Sequence, residues 1–304
     1  MIVKTKLARA VFCLTALLSC SSRAADPTNA APPPGLPEGA RMKLNIPYVS
    51  QAGPRQTLDL YLPADGTNLP LIVWVHGGGW LEGDKQNPPG LGMLKYGFAL
   101  ASLNYRLSQD AIFPAQLIDC KAAIRWLRAH AAENGIDPRR IGVWGASAGG
   151  HLVALLGTTG EVKEFDQGEN LDVSSRVQCV CDWFGPTDLS QIIKYPSDLK
   201  HDAPDSPEAR LIGGPIAQNL DKAERANPIH YITKDDPPFL IMHGDKDRVV
   251  PLEQSQLLAD ELKKAGVPVT FHIVPGGGHG GAEFRTPAEK EHLFVFFVKY
   301  LKAD

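Results

Sequence analysis

The chain has 304 residues, of which 43% are apolar and 21% charged, and its formal net charge is −3. This is long enough for one large α/β domain with a sizeable core. The charge balance gives no basic field for nucleic acid. Beyond the N-terminal region no run of 18 apolar residues is present, which argues against a membrane-spanning protein.

The first 25 residues have the pattern of a secretory signal. A basic segment, residues 4–9, precedes the apolar run 10–18, and small residues follow it. Two processing routes are open. The Leu-Leu-Ser-Cys sequence that ends at Cys20 resembles a bacterial lipobox, so Cys20 would be lipidated and form a membrane tether. Cleavage near Ala24 would instead release the protein. We therefore predict an exported protein that is periplasmic, secreted or a membrane-anchored lipoprotein.

A segment rich in Pro and Ala, residues 26–41, follows the signal and is expected to be an extended linker. The remaining residues, 42–304, are predicted to form the single folded domain. Its three cysteines, Cys120, Cys179 and Cys181, are too few for a disulfide framework and are expected to be buried thiols. No Cys/His spacing suggests zinc, so no metal or cofactor is expected.

The domain alternates strand and helix patterns. Two strands between residues 42 and 63 are expected to pair antiparallel at a sheet edge. Later short apolar runs are typical of strands covered on both faces. Helix patterns lie between them, and the last helix begins with a predicted capping box of Thr286 and Glu289, with Pro287 at its first position. We predict a mostly parallel eight-stranded sheet with helices on both faces. The buried runs are 70–77, 98–105, 140–147, 177–185, 238–245 and 269–276, and the other clear helices are 114–130 and 253–265.

The segment 190–236 is the least regular part of the domain and is rich in Asp, Pro and Gly. It lies between two predicted strands and is too long for a plain crossover. We interpret it as a cap-like helical insertion that, with residues 110–114, shapes the site.

The run 140–156 changes from a strand pattern to a helix pattern at Gly145-Ala-Ser147-Ala-Gly149. A tight turn at this point would present the Ser147 hydroxyl at the carboxyl end of the strand, as in a nucleophile elbow. The positive N-terminal end of the following helix would point at the same serine. A purely structural glycine-rich turn is the alternative.

A serine nucleophile needs a base and an orienting carboxylate. His279 lies in a loop with five glycines, residues 275–281, after the last strand, and such a loop can fold back over the sheet edge. Two carboxylates follow the strand 239–244. Asp247 lies further out and is the predicted partner, with Asp245 as the alternative.

The sequence His76-Gly-Gly-Gly-Trp80 follows the strand 70–75. Bare amides of such a loop, together with the Ala148 amide, can form an oxyanion hole. A phosphate-binding loop is the rival interpretation, but the required Lys and Ser/Thr are absent.

These motifs together resemble the α/β-hydrolases of the hormone-sensitive-lipase-like esterase group, and most closely the bacterial feruloyl-esterase-like (BD-FAE) branch. The resemblance runs from about residue 42 to the C-terminus. It implies that Gly78 and Gly79 join Ala148 in the oxyanion hole, that Gly77 is a turn residue, and that Asp247 and His279 are the acid and the base. One departure is that a large N-terminal helical cap is missing. The motifs that carry the resemblance are residues 76–80, 104–106, 145–150, 185–188, 243–247 and 278–280.

We therefore predict a serine carboxylesterase that acts through an acyl-enzyme on short acyl or feruloyl and acetyl esters. The substrate would be a small molecule or a polysaccharide-linked ester of plant origin. Trp80, Trp183 and Phe184 are expected beside the site, where they would stack on a sugar or an aryl acid or, alternatively, pack in the core. A serine peptidase or amidase of the prolyl-peptidase or formamidase type, and a non-catalytic binding module on the same fold, are the alternative functions.

Overall fold

Eight strands form one sheet in the computed structural model, which describes residues 32–302. The strands are β1 (Arg41–Pro47), β2 (Thr57–Leu62), β3 (Leu69–Val75), β4 (Ala99–Leu103), β5 (Ile136–Ala146), β6 (Cys179–Trp183), β7 (Phe239–Gly244) and β8 (Val269–Val274). Their order in the sheet is β1-β2-β4-β3-β5-β6-β7-β8. β1–β2 and β2–β4 pair antiparallel and the remaining neighbours pair parallel, which confirms the predicted mostly parallel sheet with an antiparallel edge.

The strands lie close to their predicted positions. β5 begins at Ile136, before the predicted residue 140, because Ile136 pairs with Leu69 ahead of an irregularity in the β3–β5 ladder. The predicted signal segment, Cys20 and residues 26–31 of the predicted linker lie outside the described residues. Within residues 32–302, none of the helices combines the length and the apolar character that crossing a membrane requires.

Helices cover both faces of the sheet, and successive side chains of each strand alternate between two cores. The α-helices are α1 (Ala115–Ala129), α2 (Ala131–Asn134), α3 (Ala148–Thr158), α4 (Leu189–Ile192), α5 (Pro207–Ile212), α6 (Leu220–Arg225), α7 (Leu252–Lys264) and α8 (Pro287–Leu301). Val73 of β3 belongs to the core under α1, α3 and α7, whereas the adjacent Trp74 belongs to the core under α8.

The three described cysteines are free and buried, as predicted. Cys120 lies in the core under α1, and Cys179 and Cys181 lie together in the opposite core. Burial raises the pKa of all three thiols well above the ordinary value, so they stay protonated and act as small apolar side chains.

The start of α8 corrects one prediction. Thr286 caps the helix through a hydrogen bond from the Glu289 amide to Thr286 Oγ1, at 3.3 Å. A complete capping box would also need the Glu289 carboxylate to accept a hydrogen bond from the Thr286 amide, and this bond is not present among the described residues. The Glu289 carboxylate points instead to His272 of β8, with Oε2 2.7 Å from Nε2.

The segment 190–236 consists of short helices and turns, including α5 and α6. Apolar side chains such as Leu211 and Ile216 bury it against the core under α1 and α3. A hydrogen bond from the Phe113 amide to the Leu211 carbonyl, at 2.8 Å, joins it to the loop before α1. The segment therefore lies against the carboxyl ends of the strands and helps to form a cavity there.

Candidate active site

Ser147 lies in the sharp turn between β5 and α3, with φ 56° and ψ −123°. Non-glycine residues rarely adopt such a conformation, and it persists only where the surroundings enforce it. A Cβ at Gly145 would lie 2.2 Å from the Gly149 carbonyl oxygen, and one at Gly149 would lie 2.1 Å from the Val75 carbonyl oxygen. The two glycines are therefore what allows the turn to close.

His279 joins Ser147 to Asp247. Its Nε2 lies 2.9 Å from Ser147 Oγ, and its Nδ1 lies 2.8 Å from Asp247 Oδ2. Because a carboxylate only accepts hydrogen bonds, Nδ1 carries the proton and Nε2 is free to accept one from the serine hydroxyl. The arrangement can therefore take a proton from Ser147 and hold it on the imidazole.

The Asp247 side chain is fully buried, yet its environment favours the charged form. Burial alone would raise the pKa of this carboxyl, but hydrogen bonds from His243 and His279 and from the Val249 amide outweigh it and hold the pKa far below the ordinary value. Asp245, the alternative acid, is exposed and accepts a hydrogen bond from the Gly276 amide at 2.7 Å. The structure thus brings Asp247 to the imidazole, whereas Asp245 bonds the neighbouring turn.

His243 is a partner of Asp247 that the sequence analysis missed. It is buried, and its Nε2 lies 2.9 Å from the Val250 carbonyl oxygen and 3.2 Å from Asp247 Oδ2. Its Nδ1 lies 2.7 Å from Ser255 Oγ. His243 and His279 therefore contact the same carboxylate oxygen, Asp247 Oδ2. In the sequence, the feature that could have indicated this contact is the position of His243 four residues before Asp247.

The glycine loop after β3 turns its backbone towards Ser147. Gly78 and Gly79 both have positive φ, at 104° and 58°. Their amides donate no hydrogen bond within residues 32–302. The Ala148 amide belongs to the first turn of α3, where N–H groups have no partner within the helix. These donors can bind a negatively charged oxygen.

Two residues behind the glycine loop were not anticipated. His76 Nδ1 donates to the Gly77 carbonyl oxygen at 2.7 Å, and Arg55 Nη2 donates to His76 Nε2 at 3.1 Å and to the Gly83 carbonyl oxygen at 2.9 Å. Burial, reinforced by Arg55, lowers the pKa of His76 to about 4. The imidazole is therefore neutral at neutral pH and holds the loop by hydrogen bonds alone. Nothing local marks Arg55, which precedes β2 in the sequence.

A cavity of about 520 Å³ opens beside Ser147. Trp80 and Phe184 line it, as predicted, but Trp183 does not. The Trp183 ring is buried between Trp144 and Phe284, with centroid distances of 4.8 and 5.2 Å, because its position on β6 faces the core under α8. The segment 190–236 provides one wall through Leu199, His201, Pro207 and Glu208.

A family model described as BD-FAE matches residues 58–262. The chain belongs to the BD-FAE family. The matched range includes the glycine loop, Ser147 and Asp247, and His279 follows it. The α/β-hydrolase fold that the sequence resemblance implied is confirmed by the sheet topology and by solved esterase structures.

Curated proteins similar to this BD-FAE chain include two from Mycobacterium tuberculosis. One is the probable carboxylic ester hydrolase LipM, 30% identical over 69% of this chain and 49% of its own length. The other is the esterase LipQ, 30% identical over 77% of this chain and 56% of its own length. The chain thus spans about half the length of these relatives.

Solved structures cover the BD-FAE chain more fully. A truncated carbohydrate esterase from gut microbiota is 36% identical, with a TM-score of 0.81 over 88% of this chain and all of its own. An acetyl ester-xyloside bifunctional hydrolase from Caldicellulosiruptor lactoaceticus is 30% identical, with a TM-score of 0.69 over 87% of this chain and 96% of its own.

Proposed function

We propose that this chain is a serine carboxylic ester hydrolase that works through an acyl-enzyme. The observation that carries the proposal is the unbroken series of contacts from Ser147 Oγ through the His279 ring to Asp247, at 2.9 and 2.8 Å, at the edge of the cavity. The esterase names of the relatives support the same class of reaction.

In the first step Ser147 Oγ attacks the ester carbonyl carbon while His279 Nε2 accepts the hydroxyl proton. The imidazole then carries two protons and a positive charge. The buried Asp247 carboxylate stabilises that charge and keeps the ring in the orientation that faces Ser147. His243 and the Val249 amide keep the carboxylate in place.

The attack creates a negatively charged oxygen on the former carbonyl. The amides of Gly78, Gly79 and Ala148 would donate hydrogen bonds to it, and the N-terminal end of α3 adds a favourable dipole. Because these donors are part of a rigid backbone, they need no rearrangement when the charge forms. Loss of one such donor typically slows a reaction by about 10²–10³-fold.

His279 next gives its proton to the departing alcohol oxygen, and the acyl group stays on Ser147. A water molecule, deprotonated by the same imidazole, then attacks the acyl carbon and restores the free serine. His279 then passes the proton taken from water to Ser147 Oγ as the acid departs, so water replaces the proton that left with the alcohol.

For the substrate we propose acetyl or feruloyl esters carried by plant polysaccharides. The names of two structural relatives, a carbohydrate esterase and an acetyl ester-xyloside hydrolase, support a sugar ester. Trp80 and Phe184, which are 1% and 5% exposed, add aromatic atoms to the cavity wall and would give a sugar or an aryl acid an apolar contact there.

The mechanism predicts that Ser147→Ala lowers kcat for p-nitrophenyl acetate by at least about 10³-fold, because the nucleophile is removed. A fluorophosphonate probe should label the wild-type protein and not the variant. Ser50→Ala is the control, since Ser50 is exposed and bonds Glu169 outside the cavity. Wild-type turnover by purified Ser147→Ala would refute the proposed nucleophile, and an unlabelled wild-type protein would favour a binding module.

The proposed substrate predicts a higher kcat/KM for acetylated xylan or methyl ferulate than for p-nitrophenyl acetate and its longer-chain homologues. A matched panel of peptide and anilide substrates separates the peptidase and amidase alternatives. Equal rates on all simple acetates, with no gain from the sugar or the feruloyl group, would leave a general short-chain esterase and contradict the sugar-ester assignment.

A further inference from the structure

Three metal-ligating side chains meet on the outer part of the molecule, between β8 and α8. His272 comes from β8, and Glu289 and His292 come from α8. Their ligand atoms all lie within 4.8 Å of one another. Glu289 and His292 are three residues apart and therefore share one side of the helix. None of the three lines the cavity beside Ser147.

The contact between His272 and Glu289 is not an ordinary hydrogen bond. His272 Nε2 lies 2.7 Å from Glu289 Oε2, but the direction of the ring N–H misses the oxygen, and neither atom has another hydrogen-bond partner in residues 32–302. Both atoms are buried. Buried polar atoms are nearly always paired, so this nitrogen and oxygen point to a ligand that both can hold.

The off-axis arrangement fits a shared ion. When a nitrogen and an oxygen bind one tetrahedral ion at about 2.0–2.1 Å, the two donors stand about 3.3 Å apart and the oxygen lies away from the ring axis. Widening the present 2.7 Å contact by about 0.6 Å reaches that geometry. His292 is exposed and its ring lies 4.1 Å from that of His272, so its side chain can turn to complete the set.

We propose that His272, Glu289 and His292 bind a divalent transition-metal ion, Zn²⁺ in the first instance. Two imidazoles and one carboxylate are an established zinc ligand set, with water as the fourth ligand. Such an ion would join β8, which has β7 as its one partner in the sheet, to the C-terminal helix α8. Its role would be to stabilise the fold, because an ion that binds only the folded state raises the unfolding temperature.

The test uses the full chain after treatment with EDTA and its removal. Isothermal titration with ZnCl₂ should give one ion per chain, and the unfolding temperature should rise with zinc concentration. His292→Ala should weaken zinc binding at least tenfold and remove the rise. Glu289→Gln, which keeps the size of the side chain, should do the same. Co²⁺ bound to the wild-type chain should show a tetrahedral visible absorption spectrum that His292→Ala abolishes.

His230→Ala is the matched control. His230 is exposed and lies 3.0 Å from Glu224, but it belongs to no cluster of three ligands in the described part of the chain. Zinc binding that survives His292→Ala and Glu289→Gln unchanged would overturn the site. So would binding that disappears only in His279→Ala, and so would an absence of zinc binding to the wild-type chain.

Discussion

At the scale of single residues, the proposed chemistry depends on which nitrogen of His279 carries the proton. The Asp247 carboxylate keeps it on Nδ1, facing Oδ2 at 2.8 Å, so Nε2 can accept from Ser147. The carboxylate can do so throughout the neutral range because its pKa lies far below the ordinary value. His243 contacts the same oxygen, and the Val249 and Val250 amides donate to Oδ1, so the carboxylate is held in this orientation.

Asp247→Asn should therefore lower kcat for p-nitrophenyl acetate by about 10³–10⁴-fold. The amide can donate to His279 Nδ1, which favours the proton on Nε2, and it cannot stabilise a positive imidazole. Asp245→Asn is the matched control and should stay within about threefold of wild type, because its side chain keeps an oxygen for the Gly276 amide. Comparable losses in both variants would contradict the assignment of Asp247.

At the scale of elements, a buried His–Glu pair fastens the segment 190–236 to the loop that carries Asp247. His201 Nδ1 lies 2.9 Å from Glu208 Oε1, and His201 Nε2 lies 3.0 Å from the Val249 carbonyl oxygen. Glu208 only accepts, so His201 Nδ1 donates to it, and Nε2 also lies 3.0 Å from Ser197 Oγ, a hydroxyl that can donate or accept. The Glu208 carboxylate favours the doubly protonated, charged imidazole. Burial alone would lower the pKa of His201, but the hydrogen bond and charge of Glu208 raise it above the ordinary value.

This pair predicts a pH-dependent stability. The folded-state pKa of His201 exceeds its unfolded value of about 6.5, so its contribution is complete below that pH and is lost as the pH rises through the folded-state pKa. Glu208→Gln should lower the free energy of unfolding by about 1.5–3 kcal/mol at pH 6. The difference in unfolding free energy between Glu208→Gln and wild type should be smaller at pH 9. Urea unfolding of both proteins at pH 6 and pH 9 measures this difference.

Glu224→Gln is the control for this prediction, because Glu224 and His230 form a similar pair that is more than half exposed. Its effect should stay within about 0.5 kcal/mol at both pH values. The Asp182 carboxyl, whose pKa burial raises to about 7, titrates in the same range in all three proteins and cancels in the comparison. A Glu208→Gln difference that is constant with pH would show that His201 is not charged in the folded protein.

At the scale of the whole molecule, the two cores on opposite faces of the sheet support different parts of the protein. The core under α1, α3 and α7 supports the turn at Ser147 and the segment 190–236. The core under α8 contains Phe297, which is fully buried and packs close to Gly142 of β5. Phe297 does not line the cavity, so the second core is expected to affect stability and leave the site intact.

Phe297→Ala should lower the free energy of unfolding by about 3–5 kcal/mol, because it leaves a cavity in a closely packed core. The kcat of the folded protein, normalised by active-site titration, should change less than about twofold. Val295→Ala, on the exposed side of the same helix, should cost less than about 1 kcal/mol. A large loss of kcat in folded Phe297→Ala would show that the two cores are coupled to the site.

Much of this architecture is readable from short stretches of sequence. Short apolar runs, glycines around Ser147 and the Thr286-Pro287 helix start are local features, so they predicted the sheet, the turn and the beginning of α8. The motif order then placed Ser147, Asp247 and His279 at one edge, where the structure brings them together.

Other features depend on contacts between distant segments, which no local pattern contains. The support that Arg55 gives to the glycine loop and the burial of Trp183 both follow from which segments become neighbours in the fold. The Glu289 carboxylate leaves its helix cap because β8 brings His272 within reach. Local propensity selects helix or strand, but packing across the sheet decides where each side chain finds its partner.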